Sequence, residues 1–277
     1  MQRAISTHFH VNHRLTTALL DRIRHAGFSK VEIFCGRQHV DYHNKAQVTE
    51  LGHWFRDAEL ELWSLHAPMY SDEVWGRSGP GAVVSICERE KVRRIAAVDE
   101  IKRAIEIADY VPCRYVVQHF GVAYEEFDAR KIDAAFSSLD ELSVFARQRG
   151  VEILLENIPN GFSTAERLTW FLAETHLNLG FCFDTGHANM TGSIAAEFEL
   201  MKDRIRSTHL HDNDGAEDSH LAPLVDEGGS IDWAETMELL RSRDGQYPLL
   251  LELKDAPGKK APLGDALCSF ERLESIR

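Results

Sequence analysis

The stretch Gly180-Phe-Cys-Phe-Asp-Thr-Gly-His-Ala-Asn-Met190 begins as the apolar run of a buried strand and then places an acid, Asp184, at its end, with His187 three residues on. An ionised carboxylate at a half-buried strand end costs several kcal/mol unless something positive meets it. The identity of that positive partner is the question the rest of the chain answers, because the same arrangement recurs along it.

Short strand-like runs fall at 4–9, 30–34, 60–67, 114–119, 151–157, 179–184, 207–211 and 249–254, and amphipathic helical patterns fall at 15–26, 45–57, 88–110, 130–149, 164–174, 231–243 and 262–275. Strands alternating with helices demand parallel pairing with crossover helices, and eight such units predict a (β/α)8 TIM barrel, an α/β fold in one domain over residues 1–277. A doubly wound open sheet is the structural alternative. No linker or low-complexity segment marks a domain boundary. The one long connection, 69–87, carries Gly76, Gly79, Pro80 and Gly81, and reads either as a lid over the mouth or as a plain surface loop.

Composition narrows the partners. A formal net charge of −13 disfavours phosphate backbones and anionic membranes. The 5 cysteines are odd in number and contain no Cys-x-x-Cys pair, which fits reduced thiols rather than a disulfide framework. The opening residues lack an apolar signal core, and no run of about 18 apolar residues occurs, so a cytoplasmic location without a membrane span is expected.

In a (β/α)8 barrel the reactive groups sit at the carboxyl ends of the strands. Here strand three ends in His66, strand four in His119, strand five in Glu156, strand six in Asp184 with His187, strand seven in His209 and strand eight in Glu252; the loop after strand seven adds Asp218 and His220. Any one of these has a bland reading, as a satisfied polar residue or a helix cap. Four acids converging on one mouth are different, because they repel one another and raise their own pKa values unless a cation holds them ionised. Glu156, Asp184, His209 and Glu252 would form a three-carboxylate, one-imidazole site suited to Mn, Mg, Co or Fe(II), while the further histidines shift the preference towards Zn. Residues two apart on a strand share a face, so Lys254 accompanies Glu252 to the mouth and His211 competes with His209 as ligand; His209, nearer the apolar run, is preferred.

The ordered set His66-Ala67-Pro68, His119, Leu154-Leu155-Glu156-Asn157, Asp184-Thr-Gly-His187, His209-Leu-His-Asp-Asn213, Asp218-x-His220 and Glu252 resembles the xylose isomerase-like TIM-barrel superfamily over nearly the whole chain. The resemblance implies one of two activities. In the sugar epimerase and isomerase branch, Glu156, Asp184, His209 and Glu252 match a single-metal site whose two glutamates, Glu156 and Glu252, also handle protons. In the endonuclease IV branch of apurinic/apyrimidinic endonucleases, all nine strand-end and loop positions match a trinuclear zinc site. Two departures bear on the choice: Ser219 replaces the basic residue that branch has within Asp-x-His, and Glu227-Gly228-Gly229 stands where it has Gly-Glu-Gly. The rim is acidic or neutral, with Arg37 and Arg77 as its basic residues, whereas a DNA-handling mouth needs cationic loops. The epimerase branch commonly has an arginine shortly after the strand-seven histidine, and residues 210–219 contain none. The expectation is a metal-dependent isomerase or epimerase of a small carbohydrate, its phosphate or a related hydroxy-carbonyl compound, working through an enediolate with Glu156 and Glu252 in proton transfer; DNA cleavage is the alternative. His66, His119, His187, Asp218, His220 and Lys254 then bind substrate or additional metal, and a homo-oligomer is compatible with the sequence.

Overall fold

The computed structural model describes residues 2–254 and 261–276. Eight strands, β1 (Arg3–Ser6), β2 (Lys30–Phe34), β3 (Glu61–His66), β4 (Tyr115–His119), β5 (Glu152–Glu156), β6 (Gly180–Asp184), β7 (Ile205–His209) and β8 (Leu249–Leu251), pair in parallel in the order β7-β6-β5-β4-β3-β2-β1-β8. β8 joins β1 with Ala4 opposite Leu250. The seam to β7 closes just above it, where Leu210 N–H donates to Leu250 O at 2.8 Å and Glu252 N–H donates to Leu210 O at 3.1 Å. Thr208 Oγ1 supplements the seam, donating to Pro248 O and accepting from Leu250 N–H. The result is the (β/α)8 barrel that the alternation predicts.

Outside the ring run α1 (Thr17–His25), α2 (Lys45–Asp57), α3 (Lys91–Ile105), α4 (Ile132–Arg147), α5 (Ala165–Ala173), α6 (Thr185–Thr191), α7 (Ile194–Met201), α8 (Trp233–Arg241) and α9 (Pro262–Ser275). Their starts are set locally. Thr16, Asn44, Thr164, Ser193 and Asp232 each accept a backbone N–H in the first turn, satisfying donors that a helix leaves open. Their apolar stripes bury Leu20, Ile101, Leu139, Phe171 and Phe198 against outward-facing strand residues such as Ile33, Val116 and Phe183. Burying one such side chain contributes roughly 1.5–3 kcal/mol. Inside the ring, Val117, Leu154 and Cys182 form a separate small apolar cluster. The register sets the polar layer next to it: His119 lies opposite Glu156, and Asp184 opposite His209.

Three sequence expectations are corrected. The first strand ends at Ser6, not residue 9; Ser6 Oγ accepts from His8 N–H and starts a 3-10 turn at Thr7–His10 that carries His8 to the mouth. The seventh strand spans Ile205–His209, two residues earlier than expected, and His211 follows it. Between β6 and β7, where no helix is predicted, stand α6 and α7. Asp184 begins the first of them by accepting His187 N–H at 2.7 Å. Among the described residues no helix is long and apolar enough to cross a membrane.

Candidate functional site

The strand ends deliver their acids and imidazoles to one place. His209 Nδ1 lies 3.1 Å from Glu156 Oε1, 3.6 Å from Glu252 Oε2 and 3.9 Å from Asp184 Oδ2, and all four side chains are buried. Ligand atoms of Glu156, Asp184, His209 and Glu252 fall within 4.8 Å of one another. A second group, His66, His119 and Glu156, shares the glutamate, with His119 Nε2 3.1 Å and His66 Nε2 3.5 Å from Glu156 Oε2. A third comprises His187, His211, Asp218 and His220. His187 Nε2 is 3.5 Å and His220 Nε2 3.2 Å from Asp218 Oδ2. His209 faces the carboxylates of the first group, while His211 stands between the first and third, its Nε2 3.1 Å from Asp184 Oδ1 and 3.7 Å from Asp218 Oδ1.

Hydrogen bonding sets how these imidazoles point. His66 Nδ1 donates to Ala67 O at 2.9 Å, His187 Nδ1 to Asn157 O at 3.0 Å and His220 Nδ1 to Glu252 O at 2.9 Å. A carbonyl only accepts, so the proton of each neutral ring is on Nδ1 and the Nε2 lone pair is aimed inward, the arrangement of a metal ligand held by an outer partner. A lone pair facing a carboxylate is repulsive unless a cation or a proton lies between them. Asp184 Oδ2, Glu252 Oε1 and Asp218 Oδ1 are buried with no hydrogen-bond partner among the described residues. Unsatisfied acceptors of this kind, clustered and buried, fit a divalent cation.

The electrostatics agree. Burial opposes the charge on Glu156, but His209 and His119 outweigh it and hold the carboxyl well below its usual range. Burial likewise disfavours charge on His209 and His187, yet the surrounding acids raise both well above the ordinary imidazole value. At His220 burial is again overcome, chiefly by Asp218, and the pKa rises to about 9. With no metal bound, protonated imidazoles supply the charge that the acids require.

Glu32, from the middle of β2, is a participant that the strand-end pattern does not reveal. It is fully buried, accepts from Ser64 Oγ at 2.7 Å and lies 3.2 Å from His209 Nε2. His209 thus has Glu156 on one nitrogen and Glu32 on the other, and Glu32 fixes the ring with Nδ1 towards the first group. The available signal is an acid between the apolar Val31 and Ile33. Its neighbours join the outer core, so by alternation Glu32 points inward. His8 is likewise absent from the strand-end set, and forms a further ligand-distance group with His220 and Glu252. Gly186 explains its own place in Asp-Thr-Gly-His: a Cβ there would stand 2.0 Å from His211 Cε1.

Above the ligands is a cavity of about 200 Å3. One wall is aromatic, with Phe34 stacked on His66 at 4.1 Å and on Trp75 at 5.0 Å between ring centroids. Trp75 belongs to the 69–87 loop, pinned where Gln38 Oε1 accepts Trp75 N–H at 2.9 Å. Arg37, expected from the sequence as a rim cation, is engaged with that loop, donating to Ser71 O and pairing with Glu73 at 3.5 Å. Lys254 also lines the cavity, beyond the end of β8, which is shorter than the sequence suggests.

Comparisons with known proteins agree with this fold. An uncharacterized protein of Methanocaldococcus jannaschii is 32% identical over 238 residues, covering 81% of this chain and 74% of the relative. One from Sinorhizobium fredii is 26% identical, covering 84% and 79%. Among solved structures, a D-tagatose 3-epimerase-like protein has a TM-score of 0.77 at 27% identity, covering 100% of this chain and 97% of that one. The 3-keto-D-glucoside 4-epimerase of E. coli has a TM-score of 0.75 at 15% identity, covering 99% of each, which is a likeness of fold. Residues 20–273 match the family described as xylose isomerase-like TIM barrel. With that match and a barrel whose strand ends gather clusters able to coordinate a divalent metal, the chain belongs to the xylose isomerase-like TIM-barrel family.

Proposed function

We propose that the protein is a divalent-metal-dependent isomerase or epimerase of a sugar, a sugar phosphate or a related hydroxy-carbonyl compound. In this reading Glu156, Asp184, His209 and Glu252 hold the ion and Glu156 and Glu252 move the proton. The observation that carries it is the convergence of three carboxylates and one oriented imidazole beneath a cavity of about 200 Å3. A cation held there supplies Lewis-acid polarisation of adjacent substrate oxygens, which acidifies a neighbouring C–H. The chain's own groups do the rest. Glu156 is surrounded by imidazoles on both oxygens, from His209 and His187 on Oε1 and from His119 and His66 on Oε2. Glu252 meets His209 and His220 through Oε2, and its Oε1 has no hydrogen-bond partner among the described residues. In this reading one of the two glutamates takes a proton from carbon and the other, once protonated through a neighbouring imidazole, returns one. The aromatic wall of Phe34 and Trp75 suits the C–H face of a polyol, and Lys254 a hydroxyl or a developing negative charge.

A second reading, an endonuclease of the apurinic/apyrimidinic type, is favoured by a specific observation. The groups around His66, His119 and Glu156 and around His187, His211, Asp218 and His220, added to the first, offer positions for three ions. Against it stand the acidic rim and a lining in which Lys254 is the cation among the described residues. One experiment separates the two. Incubation of the metal-loaded protein with ketoses, their phosphates and hydroxypyruvate in deuterated water, followed by NMR, should show exchange of a carbon-bound hydrogen with about one ion per chain. Three ions per chain, incision of a duplex containing an abasic site and no exchange on any carbonyl compound would replace the first reading with the second.

A further inference from the structure

The strand-end and loop positions that match a trinuclear site leave out His211, yet its ring stands in the third group with His187, Asp218 and His220. Asp218 is the focus of the four. Its Oδ2 lies 3.2 Å from His220 Nε2 and 3.5 Å from His187 Nε2, and its Oδ1 lies 3.7 Å from His211 Nε2. Three imidazole nitrogens therefore face one carboxylate, and ligand atoms of all four residues fall within 4.8 Å of one another. Zinc bonds of about 2.0–2.1 Å in a tetrahedron hold ligand atoms roughly 3.3 Å apart, close to the spacing around Asp218.

The fold makes room for His211 at this place. It is fully buried, and a Cβ on Gly186 would stand 2.4 Å from its Nδ1 and 2.6 Å from its Nε2, so the glycine opens the space that the ring fills. The ring stacks on that of His220, with 3.9 Å between centroids and 17° between planes. Two charged rings in such a stack repel, so the arrangement suits imidazoles without protons on their inward nitrogens, which is how a metal holds them. His187 and His220 are already turned that way, because their Nδ1–H groups donate to Asn157 O and Glu252 O. The rival partner of His211 is Asp184 Oδ1, 3.1 Å from its Nε2. That oxygen accepts His187 N–H at 2.7 Å and so does not depend on His211, whereas Asp218 Oδ1 has no hydrogen-bond partner among the described residues.

Three protein ligands leave a position open to water or substrate; four fill a tetrahedron. We propose that His187, His211, Asp218 and His220 form a closed zinc site with a structural role, separate from the ion of the first group, and that His211 is the ligand that closes it. What the site holds together follows from where its ligands sit. Asp218 and His220 belong to the loop after β7, whose ends are joined by reciprocal 2.8 Å bonds between Asp212 and Leu221; His187 is in α6 and His211 follows β7. The outer partners of His187 and His220 are Asn157, next to Glu156, and Glu252 itself. The site thus fixes the loop and the segments that carry both glutamates around the mouth. Magnesium or manganese fills the oxygen-rich first group at about one ion per chain, and zinc adds this second ion. The proposal does not rest on the isomerase or epimerase reading.

Anomalous diffraction at the zinc edge, from crystals of the zinc-loaded full chain, tests it without a variant. The expected result is an ion about 2.0–2.2 Å from one atom of each of the four residues. An ion bonded to His187, Asp218 and His220 but not to His211, or no ion at the group, would overturn the proposal. Co(II) gives a second readout in solution. Glu156→Gln removes the carboxylate that the first group shares with His66 and His119. In that variant about one Co(II) per chain should remain, with the strong visible absorption of a tetrahedral ion and no response to excess azide. Adding His211→Asn should lower zinc affinity by more than about 100-fold and make the Co(II) spectrum respond to azide, because a position is then open. An azide response before that substitution would show an open ion, overturning the closed site in favour of the nuclease arrangement. Unchanged zinc affinity on adding His211→Asn would reduce His211 to packing and overturn the proposal as well. A closed site found together with no hydrogen exchange on any carbonyl compound would uphold the zinc site and count against the isomerase or epimerase reading alone.

Discussion

Glu32 and Glu156 are both fully buried carboxylates inside the barrel, and both touch His209, one on each ring nitrogen. Their surroundings differ. Glu156 lines the mouth cavity and is met by four imidazoles; Glu32 is away from the mouth and has Ser64 as its other hydrogen-bond donor. The same chemical group is therefore placed to hold a cation in one location and to orient the residue that holds it in the other. The distinction comes from position along the strand: Glu156 closes β5, while Glu32 sits in the middle of β2.

The sharpest way to break this comparison is to remove a ligand on the mouth side. Asp184→Asn and Glu252→Gln each replace a charged oxygen at the convergent site, and each should lower divalent-metal affinity by more than about 100-fold, beyond what loss of an outer partner costs. Elemental analysis after dialysis measures it; wild-type metal content in both variants would remove the first group as the metal site.

Glu32 should give the next largest effect. Glu32→Leu removes the acceptor that holds His209 Nε2 and should weaken metal binding by roughly 10–100-fold, whereas Glu32→Gln keeps an acceptor and should lie at the low end of that range. Chelator competition provides the readout independently of catalysis, and the visible spectrum of the Co(II)-loaded protein reports whether the His209 bond is distorted. Equal affinities for wild type and Glu32→Leu would reduce Glu32 to a packing residue.

These two sets of variants also mark where the sequence is legible. Strand ends announce themselves, because an apolar run that stops in an acid or a histidine leaves a polar group half-buried and in need of a partner, and Glu156, Asp184, His209 and Glu252 are all found that way. Glu32 is hidden because a single acid inside Lys-Val-Glu-Ile-Phe carries no motif, and only the knowledge that both neighbours face the helices turns it inward. His8 is obscured by a strand that ends earlier than its apolar pattern suggests. α6 is unreadable for a different reason. Thr185-Gly-His-Ala-Asn-Met-Thr191 is poor in helix formers, and the helix is started by the capping acceptor on Asp184, the residue singled out for its charge.

A third measurement contrasts the metal-free and loaded states. His220 titrates near 9 in the folded metal-free protein because of Asp218, against an ordinary value of 6.5. A pKa raised by folding contributes stability that is complete below 6.5 and is lost as pH rises through about 9. The metal-free protein should therefore lose on the order of 1–3 kcal/mol across that window, seen as a falling Tm. Metal affinity should move the other way, rising with pH as protons leave the ligand nitrogens. A Tm of the metal-free protein that is flat from pH 6.5 to 9 would mean that the Asp218 pair does not persist without the ion.

The smallest effect should come from the apolar cluster within the ring. Cys182 packs with Val117 and Leu154, is completely buried, and lies opposite Glu156 in the β5–β6 register. Burial pushes its thiol pKa far up, so at neutral pH it is an uncharged packing group beside the ligands rather than one of them. Cys182→Ala removes one buried sulfur atom and should destabilise by about 1 kcal/mol, within the range for losing a small buried group. Metal affinity should change by less than about 3-fold, well short of the loss from an outer partner such as Glu32. Thermal denaturation and the same chelator competition measure the two quantities side by side. A loss of metal affinity in Cys182→Ala comparable to that of Glu32→Leu would show that the sulfur helps to hold His209, and the division between an orienting acid and passive packing around it would have to be redrawn.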